Sequence, residues 1–250
     1  TAISSAMAQV TTSSMSGTVV AEGEEIIGAT VDVVHTPSGT HYRAVTNEKG
    51  VYTINGMRVG GPYQVTVKCI GFSDKTVGGI NLQLGETYNL KTNLSESVKE
   101  MQEVTVSAKG SKFSYEQTGA STNISNEQML AMPTVSRSVT DFTRLSPYGG
   151  NGMTFQGSDG RTANFTVDGA NFNNNFGLSS SLPGGGNPIS MEAIEELQVV
   201  ISPFDVRQTG FIGGALNAIT KSGTNTFKGQ AYIYHQNENM RGDAVESELI

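Results

Sequence analysis

Residues able to do chemistry are few in this chain, and their spacing suits almost none of it. The 250 residues include three histidines, namely His35, His41 and His235. None stands in an HExxH pattern, the spacing that lets one helix face hold zinc, and the one HxxE spacing, His235 to Glu238, has no further histidine after it to complete a zinc site. No GxSxG elbow and no phosphate-binding Gly-rich loop occurs. Asp159 and Asp168 each precede a glycine, the pattern of a turn whose carboxylate accepts from nearby backbone N–H groups. Asp168, Asn171 and Asn173 space three oxygen-bearing side chains loosely like a calcium loop. The bidentate Glu that such a loop needs further on is missing, so the turn reading outweighs calcium. No metal or other cofactor is expected, and the chain reads as non-enzymatic. The one cysteine, Cys69, shares a strand face with Tyr63, Val65 and Val67. It reads as a small buried apolar residue, since no cation or helix N-terminus stands near to favour a thiolate.

The remaining chemistry is that of the backbone. Residues 96–114, "ESVKEMQEVTVSAKGSKFS", surround one β-prone core with charged and small polar residues. That core, Glu103-Val104-Thr105-Val106-Ser107, has only Val104 and Val106 as apolar members. It reads as a linker with a strand-like stretch inside it, or as the last strand of the domain before it.

The elements that would hold this linker on either side are mostly strands. Gly fills 30 of 250 positions, well above the ~7% norm, which favours turn-rich β structure. Across residues 16–95, "SGTVVAEG", "GATVDVVHT", "HYRAVT", "VYTING", "YQVTVKCIGF" and "TYNLKTNL" alternate apolar and polar residues. Ala29, Val31 and Val33 fall on one face, Thr30 and Asp32 on the other. Turn chemistry separates them at Glu22-Gly23, Pro37-Ser38-Gly39, Asn47-Glu48-Lys49-Gly50 and Gly60-Gly61-Pro62. About seven strands at this spacing predict a small antiparallel sandwich.

From about residue 115 the pattern mixes helix and strand. Ser125 with Gln128 forms a capping box ahead of Pro133. Val135, Val139, Phe142 and Leu145 make an apolar stripe at helical spacing. Ser190 caps a further predicted helix that converts near Leu197 to strand alternation. "ALNAITKSG" is another strand.

Charge and hydropathy bound the partners. Net charge is -7 and pI about 5.0, which argues against nucleic acid, whose phosphates demand a positive surface. No apolar run approaches the ~18 residues of a spanning helix, so a membrane role would be β-type or peripheral. Ala6-Met7-Ala8 has the small-x-small shape of a signal-peptidase site. Residues 1–8 are therefore expected to be the remnant of an export signal.

The run "MEAIEELQVVISPFDVRQTGFIGGALNAITKSGTNTFKG" resembles the C-terminal half of the plug domain of TonB-dependent outer-membrane receptors. Ile194-Glu195-Glu196-Leu197-Gln198-Val199, Gly213-Gly214 and Asn217–Gly223 fill the places of that family's helix-to-strand segment, Gly-Gly turn and final plug strand. "ANFTVDGANFNNNFG" matches its Asp-Gly hairpin. "MPTVSRSVTDFTRLSP" and "ISPFDVRQTGF" are nearer still to the Oar-like, Bacteroidota-type subgroup. "GATVDVV", "TNEKGVYTINGMRVGGPY" and "IGF" resemble the carboxypeptidase-regulatory-like, transthyretin-like domain that many such receptors carry ahead of the plug.

The resemblance implies a mainly β chain. A transthyretin-like sandwich (16–95) would lead through a linker (96–114) to an α+β plug (115–222), followed by the start of a truncated outer-membrane barrel (226–250). Phe227–Gln236 would be the first barrel strand, with the rest of a barrel of about 22 strands not in this chain. The resemblance also implies a TonB box. That is an extended segment that pairs with the periplasmic TonB C-terminal domain by strand addition, where main-chain hydrogen bonds carry the affinity. Glu103, Val104, Thr105, Val106, Ser107 and Ala108 are the candidates for it. Plug loops touch imported ligand, which nominates Asn173, Asn174, Asn175, Phe176 and Leu178. The expected setting is the outer membrane, with the sandwich in the periplasm. The expected partners are TonB, the receptor's own barrel, a surface lipoprotein and an imported substrate that the sequence does not identify. The alternative is a non-catalytic envelope binding or adhesion scaffold built from the same domains.

Overall fold

Alternating apolar and polar residues fold the N-terminal part of the chain into strands. The computed structural model describes residues 10–96, 104–107, 120–132, 134, 137–173, 182, 188–201, 211–229, 231, 233, 235 and 237. The first eight strands are β1 (Ser13–Ala21), β2 (Glu24–Glu25), β3 (Thr30–His35), β4 (Thr40–Val45), β5 (Val51–Met57), β6 (Gly60–Lys68), β7 (Lys75–Leu82) and β8 (Thr87–Leu94). β1 is the centre of one sheet. β8 lies along one edge of it in parallel, while β5 and β2 share the other edge in antiparallel fashion. The facing sheet runs β4-β3-β6-β7 and ends in a ninth strand, β9 (Val104–Ser107). Inward residues of both sheets, among them Met15, Val19, Tyr52, Val31, Val33, Tyr63, Val65 and Leu82, form one core. The predicted facing of Ala29, Val31 and Val33 is observed, all three fully buried.

Four details differ from the sequence reading. β1 starts at Ser13, before the predicted edge at 16. β7 is not among the strands named from the sequence; the β6–β7 register slips at Tyr63/Val65, a bulge that accommodates an extra residue. The sandwich is also not purely antiparallel, since β8 joins β1 and β9 joins β7 in parallel. Cys69, read as buried, is half-buried against the core just beyond β6.

A second body follows. It comprises β10 (Ala120–Ser125), α1 (Asn126–Ala131), β11 (Asn164–Val167), β12 (Ala170–Asn171), β13 (Ile194–Ile201) and β14 (Gly214–Thr220), with 3-10 turns at Val139–Leu145, Gly160–Thr162 and Met191–Ala193. Its sheet runs β10-β13-β14-β11-β12. One face, carrying Leu197, Val199, Leu216, Ala218 and Phe165, is covered by Met129, Val139, Phe142 and Phe155. The Ser125 capping box is present as predicted: Gln128 N donates to Ser125 Oγ and Ser125 N donates to Gln128 Oε1.

The expected helix after Ser190 is a single 3-10 turn, and its strand begins at Ile194 rather than near Leu197. Ser190 spends its hydroxyl on the Glu192 carboxylate and makes no cap bond. The acids there read as a helix start, but the β-branched run behind them extends the sheet. In the 139/142/145 stripe, Val139 and Phe142 are buried while Leu145 is 38% exposed; Thr143 takes the inner position instead, its hydroxyl donating among the carbonyls of Thr140, Gly150 and Gly152. Val135 lies outside the described residues, as do residues 1–8. The described residues between Phe227 and His235 belong to no strand, and Phe227 and Ile233 are fully exposed. No helix among the described residues is long and apolar enough to cross a membrane, which says nothing about a β-barrel.

Candidate functional site

The linker segment singled out by its β-propensity is a strand. Val104–Ser107 adds to the edge of the second sandwich sheet, in register Lys75↔Val104, Thr76↔Thr105, Val77↔Val106 and Gly78↔Ser107. β7 is able to receive it because its own antiparallel partner, β6, occupies only one of its edges. β9 is the last strand of its sheet, and among the described residues nothing pairs with its outer edge. A strand in that position presents a row of backbone N–H and C=O groups, the requirement for adding a further strand. Glu103 and Ala108, the predicted ends of the segment, lie outside the described residues.

The second nominated region separates into two parts. Asp168 and Gly169 form the two-residue turn between β11 and β12 that an Asp-Gly pair favours. The Asp168 carboxylate does more than close that turn: it accepts from Thr220 N at 2.8 Å and from Thr220 Oγ1 at 2.6 Å. This pins the hairpin to the end of β14. Asn173 is spent on structure as well. Its Oδ1 accepts from Phe165 N at 2.6 Å and its Nδ2 donates to Asn164 Oδ1 at 2.6 Å. These bonds clamp the far end of the hairpin, and the side chain has little left to offer a ligand. Asn174, Asn175, Phe176 and Leu178 lie outside the described residues. The oxygens once weighed for calcium point to separate partners, with Asn171 Oδ1 accepting from Asn173 N. Asp159 caps the Gly160–Thr162 turn, accepting from Arg161 N at 3.0 Å. The Arg161 guanidinium also holds its carboxyl below the usual range.

The sandwich geometry has a counterpart among known families. Residues 14–95 match the carboxypeptidase regulatory-like domain. The regulatory-like domain thus accounts for β1 to β8 and ends before β9. No curated protein matches the chain. Similar solved structures include the Bacillus anthracis TIE protein, 22% identical over 34% of this chain and 17% of that one, with a TM-score of 0.29. A putative carbohydrate binding protein from Bacteroides uniformis is 17% identical over 32% of this chain and 40% of that one, at 0.28. GBS52, the minor pilin of Streptococcus agalactiae, is 11% identical over 38% of this chain and 49% of that one, at 0.29. The match spans less than two thirds of each of these chains. At such TM-scores the likenesses have no bearing on function.

Sequence reasoning missed the contact between the regulatory-like domain and the second body. There, buried Leu84 of the β7–β8 turn meets Val59 and Ile219. Its backbone meets Glu196, Gln198 and Asn123. The available signal was the polar face of β13, where Glu196 and Gln198 alternate with Leu197 and Val199. Alternation alone reads as a wet face, whereas these two residues are only 5% exposed.

Proposed function

We propose that this chain is the N-terminal part of a TonB-dependent outer-membrane transporter: periplasmic sandwich, energy-coupling strand and plug. The observation that supports this reading is β9. A short extended segment between the two bodies is paired through its backbone at a sheet edge, with no strand on its outer side among the described residues. An incoming strand of the TonB C-terminal domain would pair with that backbone, and a pull on it would reach the plug through residues 108–119. The second body would close the lumen of the barrel, and the chain would itself catalyse no reaction. The residues described give no substrate class.

Binding of the chain to a TonB C-terminal domain, measured by calorimetry, tests the proposal. Val104→Thr should bind like wild type, because the backbone makes the contact. Val104→Pro should abolish binding by removing an N–H and disturbing the strand. Absence of binding by the wild type, or equal binding by the proline variant, refutes the assignment and turns attention to a passive envelope scaffold.

A further inference from the structure

The face of the second sheet opposite its core carries a polar row one residue wide on each strand. Asn123 of β10 is in register with Gln198 of β13, Gln198 with Asn217 of β14, and Asn217 with Thr166 of β11. Gln198, Asn217 and Thr166 are 5%, 4% and 2% exposed, so the row is covered. The cover is backbone from the N-terminal part of the chain. Gln198 Nε2 and Asn123 Nδ2 donate to Leu84 O at 3.0 and 3.3 Å, and Asn217 Nδ2 donates to Val10 O at 3.0 Å. Leu84 N in turn points between both oxygens of Glu196, at 3.2 and 3.1 Å. One residue of the sandwich, Leu84, is therefore gripped through both its N–H and its C=O by side chains of the second body.

The grip is short of hydrogen-bond donors: among the described residues Asn123 Oδ1 and Gln198 Oε1 are buried without a partner, and Leu84 N is shared between the two oxygens of Glu196. Gln198 stands two residues from Glu196 on the same strand face. A proton on Glu196 would supply a donor to this acceptor-rich cluster. The surrounding charges also favour a proton there. Glu86, two residues beyond Leu84 in the β7–β8 turn, and Glu195, the bulge residue of β13, both act on Glu196 as like charges. Lys221 and Lys228 act on Glu195 instead. The register partners of Glu196 on the flanking strands, Ser125 and Ile219, are uncharged.

We infer that the sandwich and the second body are joined by a proton-dependent latch, closed when the buried Glu196 carboxyl that accepts from Leu84 N is neutral and released when it ionises. Burial, first, and then the Glu86 and Glu195 charges push the docked Glu196 carboxyl up to about 8, against 4.5 when free in water; the Leu84 N–H bond opposes the shift. Docking thus takes up a proton. The contact is fully favourable below the free value, weakens as pH rises above it, and has lost this contribution once pH passes the docked value.

Hydrogen exchange of the Leu84 amide in the intact chain reads the latch directly, because that N–H is donated across it. After correction for intrinsic base catalysis, its protection should fall about tenfold per pH unit between pH 5.5 and 7.5. Protection of Val65 and Val199, in the two cores, should hold. Glu196→Gln, which stays neutral and can both accept and donate, should keep Leu84 protected throughout. Leu84 protection that changes less than about twofold in wild type over that range, or a Glu196→Gln chain that loses protection in parallel with wild type, overturns the proposal. If Glu196→Gln fails to fold, the wild-type series decides alone.

Discussion

Gly50→Val is the sharpest test of how the sandwich is held. Gly50 ends the Asn47–Gly50 turn at φ +63, where a β-branched residue is strained by roughly 1–3 kcal/mol. A Cβ there would also lie 2.6 Å from Val19 O, a backbone atom of the central strand β1. That carbonyl accepts from Ile26 N at 3.0 Å, and Val19 N donates to Gly50 O at 2.9 Å. Relieving the clash would stretch the Val19–Gly50 bond, at about 1 kcal/mol. The total is about 2–4 kcal/mol, or a fall in Tm of roughly 10–25 °C for a domain of this size. Gly28 is the control: φ is +74 but nothing lies within 4 Å of its would-be Cβ, so Gly28→Val should show the strain alone. Buried Tyr52 and Tyr63 give a fluorescence signal for thermal and urea unfolding, undisturbed because the chain has no tryptophan. Equal losses for the two variants would remove the Val19 contact from the account, and no loss in either would refute the reasoning altogether.

Asp168→Ala should destabilise the second body by about 1–2 kcal/mol in urea, since Thr220 loses two bonds; Asp168→Asn, which keeps an acceptor oxygen, should lose less. Gly214→Val would place its Cβ 2.5 Å from the ring of fully buried Phe155. It should cost about 1–3 kcal/mol or more by overpacking, seen as an earlier circular-dichroism transition. Gly223→Val, with open space around it, should be silent, and a Gly214→Val transition no earlier than that of Gly223→Val would count against the packing described.

What the sequence made legible was local. The Asn47–Gly50 turn could be read because its atoms act on one another: Asn47 Oδ1 accepts from Lys49 N and Val51 N. The α1 cap could be read because Ser125 and Gln128 are three residues apart. The Ala29–Val33 alternation could be read because one face of β3 is core and the other is not. The rest depended on partners far along the chain. Nothing near Thr87–Leu94 tells it to lie parallel to a strand over 60 residues earlier. Nothing near Gly78-Gly79 tells a bulged strand from a turn. Val104–Ser107, within the 103–108 segment, is a strand as its β-propensity suggested, but its neighbour β7 had not been recognised, so its docking edge could not be named. Asn173 was nominated as ligand-facing because it begins a polar loop, whereas its amide closes the hairpin behind it. Glu196 went unnoticed because a carboxylate on an alternating strand reads as solvated until the covering turn is in place.

The parallel pairing of β1 with β8 fixes where the chain goes as well as how the sheet is bonded. Ser14 lies beside Thr87, and Ala21 beside Leu94. Antiparallel neighbours would return the chain to the end at which it entered. Here the polypeptide arrives at one end of the ladder and departs from the other, an offset of roughly 23 Å at ~3.3 Å per residue. The β1–β8 ladder is thus a spacer of set length between residues 13 and 94, after which the chain returns to the other sheet as β9. Tension applied across it would slide β1 and β8 past each other lengthwise. Their backbone bonds would then share the load together instead of opening one after another, so the spacer should hold its length.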